Sequence, residues 1–199
     1  MVRHIGSLVR HGRTGLIWGR SPARRRIGAM DRNAQIRAAQ ERIIAVFHKK
    51  PNAAFSSVRA NGHLGDGLTC RVRQGGHEAV MDMGKGIGGD GTAPTPGFFI
   101  RAGLVGCVAI GIKLAATREG IAIDAIDVDV EMDFDDGAML GVGGNSAAPL
   151  ETRFTIAVTS AAPWEQVTAM VDRALAIDPF FIALRDAQNV KTRVVAGSG

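Results

Sequence analysis

Between Ile126 and Asp135 apolar and acidic residues alternate without exception. Ile126, Val128, Val130, Met132 and Phe134 fall on one side, and Asp127, Asp129, Glu131, Asp133 and Asp135 on the other. A period of two predicts a half-buried strand with a solvated acidic face. Before it, residues 97–117 read as a helix that is apolar on most sides, with Phe98, Phe99, Ile100, Leu104, Val105, Val108, Ile110, Ile112 and Leu114. Such a helix belongs in the middle of a core. Gly103, Gly106 and Gly111 weaken its propensity, so close packing against a sheet or a second copy is expected to compensate.

Other segments give shorter signals. Asp31 can cap a helix running to about Lys49, with Ile36, Ala39, Ile43 and Phe47 as one stripe and Pro51 as its stop. Three short strands near 55–60, 68–73 and 78–83 are predicted as a meander, with turns at Asp66-Gly67 and Gly75-Gly76. After the acidic strand come a Gly/Asn/Ser-rich loop over 136–148, a strand over 153–159 and a helix from Pro163 to 176. A short helix from Pro179 and a last strand over 190–196 complete the order. The fold class is therefore α+β.

Charge divides the chain. Residues 1–50 carry a net +10 and the rest −5, so the overall +5 belongs to the N-terminal part. Residues 1–29 are arginine-rich, acid-free and without a period, and a disordered basic leader is expected there, with Met30 as an alternative start. Helix 30–50 and a domain over 51–199 follow it. Only Trp18 precedes Phe47 among aromatics, so base-stacking platforms are lacking and no nucleic-acid partner is expected. The uncharged run from Ala102 to Ile112 is short of the ~20 residues of a bilayer span, and no membrane partner is expected. Two cysteines are too few for a disulfide scaffold and predict a reducing, cytoplasmic setting.

Few patterns carry chemistry. Gly86-Ile-Gly88-Gly-Asp-Gly91 spells a dinucleotide fingerprint, but Pro94 and Pro96 separate it from the helix, and no nucleotide cofactor is expected. Alternate acids on one strand face stand ~6–7 Å apart, too wide to share one ion, and the five histidines lack ligand spacing. No metal is expected. Cys107 lies about three turns into the long helix, on a face with Ile100, Gly103, Leu104 and Gly111. It is either a small buried hydrophobe or a nucleophile, and the second needs a cation or donors from another segment.

Gly88-Gly-Asp-Gly-Thr-Ala-Pro-Thr-Pro96, the helix segment Arg101-Ala-Gly-Leu-Val-Gly-Cys107, the acidic strand, the Asp178-Pro179 step and the segment 190–195 together resemble the OsmC/Ohr family of thiol-dependent hydroperoxide-reducing proteins. The resemblance covers about residues 56–195. It implies a strongly bent antiparallel sheet wrapped around a long central helix, in an intertwined homodimer. It also implies a peroxide-attacking role for Cys107 in oxidative-stress defence. Three departures accompany it. Asp178 stands where active relatives carry a resolving cysteine, Gly97 replaces the acidic residue that orients their arginine, and the first hairpin turn, His63 to Gly67, lacks that arginine. Cys70, just past that turn, is the substitute resolving thiol the resemblance suggests, with an external thiol reductant as the other route. Arg71, Arg73 and Arg101 are candidate thiolate-stabilising cations. The competing expectation is a non-catalytic homodimer that binds an apolar small molecule, with both cysteines structural.

Overall fold

The computed structural model describes residues 31–197, and the basic leader expected over 1–29 lies outside them. Helix α1 (Arg32–Lys49) begins at Asp31, whose carboxylate accepts from the Asn33 N–H. A 3-10 turn at Pro51–Ala54 then leads to a three-stranded antiparallel meander: β1 (Asn61–Leu64), β2 (Cys70–Gln74) and β3 (His77–Met81). The first strand forms later than the expected 55–60, leaving Phe55 and Val58 exposed. The pairing Gly62↔Val72↔Ala79 and Leu64↔Cys70↔Met81 puts the small and apolar residues on one face. Asn61, His63, Arg71, Arg73, Glu78 and Val80 lie on the other.

The glycine-rich segment after β3 is a closed loop. Gly89 N–H and Gly91 N–H bond back to the carbonyls of Gly84 and Met83 at 3.2 and 3.1 Å. A side chain at Gly89 would stand 2.0 Å from the Met83 carbonyl oxygen, so only glycine fits this approach. Asp82, 1% exposed, ties the loop down by accepting from Met83 N–H, Thr92 N–H and Thr92 Oγ1 at 2.7, 2.9 and 2.9 Å. The fingerprint letters thus build a strapped turn rather than a strand-to-helix phosphate cradle.

Helix α2 (Pro96–Glu119) starts with proline at its first position and ends at Gly120, which sits at φ +73°. The core forms where α2 meets β4 (Ala125–Asp133), β5 (Glu151–Thr159) and α4 (Trp164–Leu175). Val108, Ile112, Val167 and Met170 are each at most 1% exposed, worth ~1.5–3 kcal/mol apiece on burial. β4 and β5 pair antiparallel from Ala125↔Thr159 to Asp133↔Glu151, so Ile126, Val128, Phe154, Ile156 and Val158 face the helices. On the outer face Arg153 bridges Glu131, Asp133 and Glu151. A short helix α3 (Asp136–Met139) interrupts the loop expected over 136–148, capped by Asp135. Helix α5 (Pro179–Arg185) follows α4.

The α+β class expected from the sequence is the observed one. Several details differ. Within one chain the strands form two sheets, β1-β2-β3 and β4-β5. The last strand expected over 190–196 does not form: that segment is without regular structure, with Val194 96% exposed, because a strand needs a neighbour to take its backbone groups. The long helix is not buried all round. Phe98, Ile100 and Ile110 are more than half exposed, and a side chain at Gly103 or Gly106 would meet nothing within 4 Å. By length and hydropathy alone α2 could cross a bilayer, yet its Leu104–Val108–Ile112 side is the core of this domain. The α1 stripe also finds no core, since α1 buries no residue. Polar bonds hold it to the end of α2: Arg37 Nε to the Thr117 carbonyl at 2.7 Å, and Gln40 Nε2 to Thr117 Oγ1 at 3.1 Å.

Candidate functional site

Cys107 sits midway along α2, half-buried, and opens into a pocket of about 260 Å³. Ile110, Gly111, Leu114 and Arg118 line it from α2, Ala174 from α4, and Ile177, Asp178 and Pro179 from the α4–α5 connection. Helical spacing explains the first set: Gly111, Leu114 and Arg118 follow Cys107 at four, seven and eleven residues, on one side of the helix. Arg118 was therefore legible in the sequence as a residue of the Cys107 face. It donates to Gln40 Oε1 of α1 at 2.5 Å.

Asp178 reaches the pocket because it caps α5. One carboxylate oxygen accepts from Phe180 N–H at 3.1 Å and Phe181 N–H at 2.8 Å. The other lies over Gly111, 3.3 Å from where a Cβ would be. The residue is 4% exposed. Asp178 and Cys107 line the same pocket. Burial pushes the Cys107 thiol above its ordinary value, and the Asp178 carboxylate beside it pushes the same way. The backbone at Phe180 pulls in the opposite direction. The neutral thiol is the favoured form.

The other expected members stand elsewhere. Cys70 lies in β2, opposite Leu64 and Met81, with its Sγ 3.4 Å from the Cβ position of Gly62. Both cysteines are free, and their neighbours within one chain are different. Arg71 and Arg73 are engaged with Glu78 at 3.5 and 2.7 Å. Arg101 turns toward Gly97, its Nη1 3.2 Å from that Cβ position. None of the three candidate cations lines the Cys107 pocket. Among the described residues no group of three or more His, Cys, Asp or Glu side chains could hold a metal ion.

A second cavity of about 360 Å³, open and almost wholly apolar, lies one to two turns toward the start of α2. Phe99, Ile100, Gly103 and Leu104 line it with Phe180 and Leu184 of α5. Its lining is apolar, so it suits an apolar ligand or an apolar protein surface.

A core helix carrying one cysteine, flanked by a meander and a two-stranded sheet, defines an α+β thiol-bearing domain. Residues 89–193, more than half the chain, match the family of OsmC-like proteins, and the chain belongs to that family. No curated protein matches it. Among solved structures it is similar to an OsmC-like protein from Mycoplasma pneumoniae, with 14% identity and a TM-score of 0.56 over 65% of this chain and 88% of the other. It is also similar to an organic hydroperoxide resistance protein from Legionella pneumophila, with 20% identity and a TM-score of 0.50 over 66% of this chain and 91% of that one. At these identities the likeness is one of fold.

Proposed function

We propose that this protein is a slow thiol-dependent hydroperoxide reductase of oxidative-stress defence, acting as a homodimer with Cys107 as the attacking sulfur. The observation that carries the reading is the placement of Cys107: half-buried in the core helix, open to a pocket, with Arg118 in the lining. The Cys107 thiolate attacks the terminal oxygen of R–O–OH. The O–O bond breaks, the alkoxide leaves and takes a proton, and Cys107 becomes a sulfenic acid. A small external thiol then condenses with it, releasing water, and a second thiol frees Cys107. Cys70 of the other subunit is the alternative partner for that step. Family membership supports the reading, as does a similar structure described as an organic hydroperoxide resistance protein. The raised thiol value makes the first step slow at neutral pH.

The homodimer is proposed from what one chain leaves uncovered: Phe98, Ile100 and Ile110 on α2, the open Gly103 and Gly106 faces, and a meander with no residue in the core. A second reading, a non-catalytic homodimer that binds an apolar small molecule, is favoured by the open groove between α2 and α5.

The deciding experiment follows loss of tert-butyl hydroperoxide with dithiothreitol as reductant. Wild type is expected to consume it catalytically and Cys107→Ser to fall to the uncatalysed rate. Equal consumption by both would remove the enzyme reading and leave the binding protein. Cys70→Ser in the same assay separates an internal from an external reductant.

A further inference from the structure

Asp178 fills the place where active relatives of this family are expected to resolve the oxidised cysteine, and its geometry is not that of a vacancy. It is almost fully buried, and its two oxygens have separate tasks. One is committed to the first N–H groups of α5. The other is brought over α2 at Gly111, one turn beyond Cys107, where a residue larger than glycine would crowd it at 3.3 Å. The remaining pocket wall is apolar except for Arg118, whose guanidinium is shared with Gln40. From α4 only Ala174 faces the pair, and from the α4–α5 connection Ile177 and Pro179. Arg37 of α1, which packs against the end of α2, is spent on the Thr117 carbonyl. A carboxylate so placed can only accept, and the sole donor Cys107 can offer it is its S–H.

We propose that Asp178 is a positioning residue that guards Cys107: its buried carboxylate, set in the same pocket, disfavours the thiolate and keeps the site unreactive while it stays in place. The proposal rests on Cys107 as the reacting group. Gly111 is part of the same device, because its missing side chain admits the carboxylate. A thiolate at Cys107 would share its pocket with a buried negative charge, in surroundings that screen it poorly. The chain thus exchanges a resolving function for a restraining one.

The test uses full-length protein carrying Cys70→Ser, so that Cys107 is the single thiol. Alkylation of Cys107 by iodoacetamide is followed by intact mass from pH 6 to 10, with and without Asp178→Asn. The asparagine keeps an oxygen for capping α5 but removes the charge. The expected result is about tenfold faster alkylation at pH 7, the equivalent of one pKa unit, with the inflection moved acidward. Gly111→Ala, which presses on the same carboxylate, is expected to move the rate in the same direction by less. A folded Asp178→Asn protein whose profile superimposes on its parent overturns the proposal. If Asp178→Asn does not fold, Gly111→Ala is judged by the same criterion. Alkylation is independent of peroxide, so the two readings fail separately. A shifted profile in a protein inert to tert-butyl hydroperoxide sinks the reductase and leaves the guard standing. Peroxide turnover with an unshifted profile does the reverse.

Discussion

Asp82 shows how much a single buried side chain organises here. It receives two backbone N–H groups and one hydroxyl, and these bonds hold its carboxyl below the ordinary value, the Thr92 N–H most of all. Asparagine in its place would have to turn an NH2 toward one of those donors. Asp82→Asn is expected to lower the melting temperature and to loosen residues 84–95. The sign of its pH dependence follows from the depressed value. The stabilisation is complete above the unfolded carboxyl's ordinary 3.8 and is lost as pH falls through the lower folded value. The gap in Tm between wild type and variant should therefore be full at pH 7 and close progressively below about pH 4. A gap that stays constant to pH 2 would exclude Asp82 as its source. Gly89 was legible only as one glycine of a run; that it alone faces a backbone oxygen at 2.0 Å depends on how the loop closes.

Among the elements, α1 and α4 make a contrast. α4 presents Val167, Met170 and Ala174 to the core, the face its apolar spacing predicts. The stripe on α1 predicts the same and gets a different outcome. Ile43 and Phe47 stay exposed, because Arg37 and Gln40 anchor the helix through the carbonyls and hydroxyl near the end of α2. Exposed helices held by a few polar bonds open locally without global unfolding. Arg37→Met combined with Gln40→Leu is expected to speed amide exchange across 32–49 while leaving exchange in α2 and β4 unchanged. Equal acceleration in α2 would mean that α1 is part of the cooperative core. The acidic strand needed a smaller correction: every residue of β4 obeys the alternation, but the strand stops at Asp133, and beyond it Phe134 is exposed while Asp135 caps α3.

For the whole molecule, the proposed second copy would cover what one chain leaves open. Sedimentation is expected to give twice the 20.9 kDa chain mass. Ile100→Arg, placing a charge on the exposed side of α2, should shift the mass toward one chain. A wild-type monomer at micromolar concentration would reject the homodimer, and with it any role for the other subunit's Cys70. The same experiment bears on the unpaired segment 190–196. A segment rich in β-branched residues that finds no strand partner in its own chain is expected to gain amide protection only where a dimer forms.

What was readable without coordinates is whatever local periodicity carries. The order of helices and strands, the long apolar helix with Cys107 in it, the acidic strand and the family resemblance all depend on neighbours within a few residues. Positions of Asp178 and Gly97 were also visible as departures from the family pattern. Other features depend on contacts between segments far apart along the chain. The meeting of Cys107 and Asp178 in one pocket, the engagement of Arg71 and Arg73 by Glu78, and the absence of Cys70 from that pocket's lining are of this kind. So is the failure of residues 190–196 to become a strand, since pairing is a property of two segments and no period within one of them announces the partner. Sequence spacing sets which residues share a face; which face meets which is decided by the closed packing of the core, and the state of the Cys107 thiol follows from that meeting.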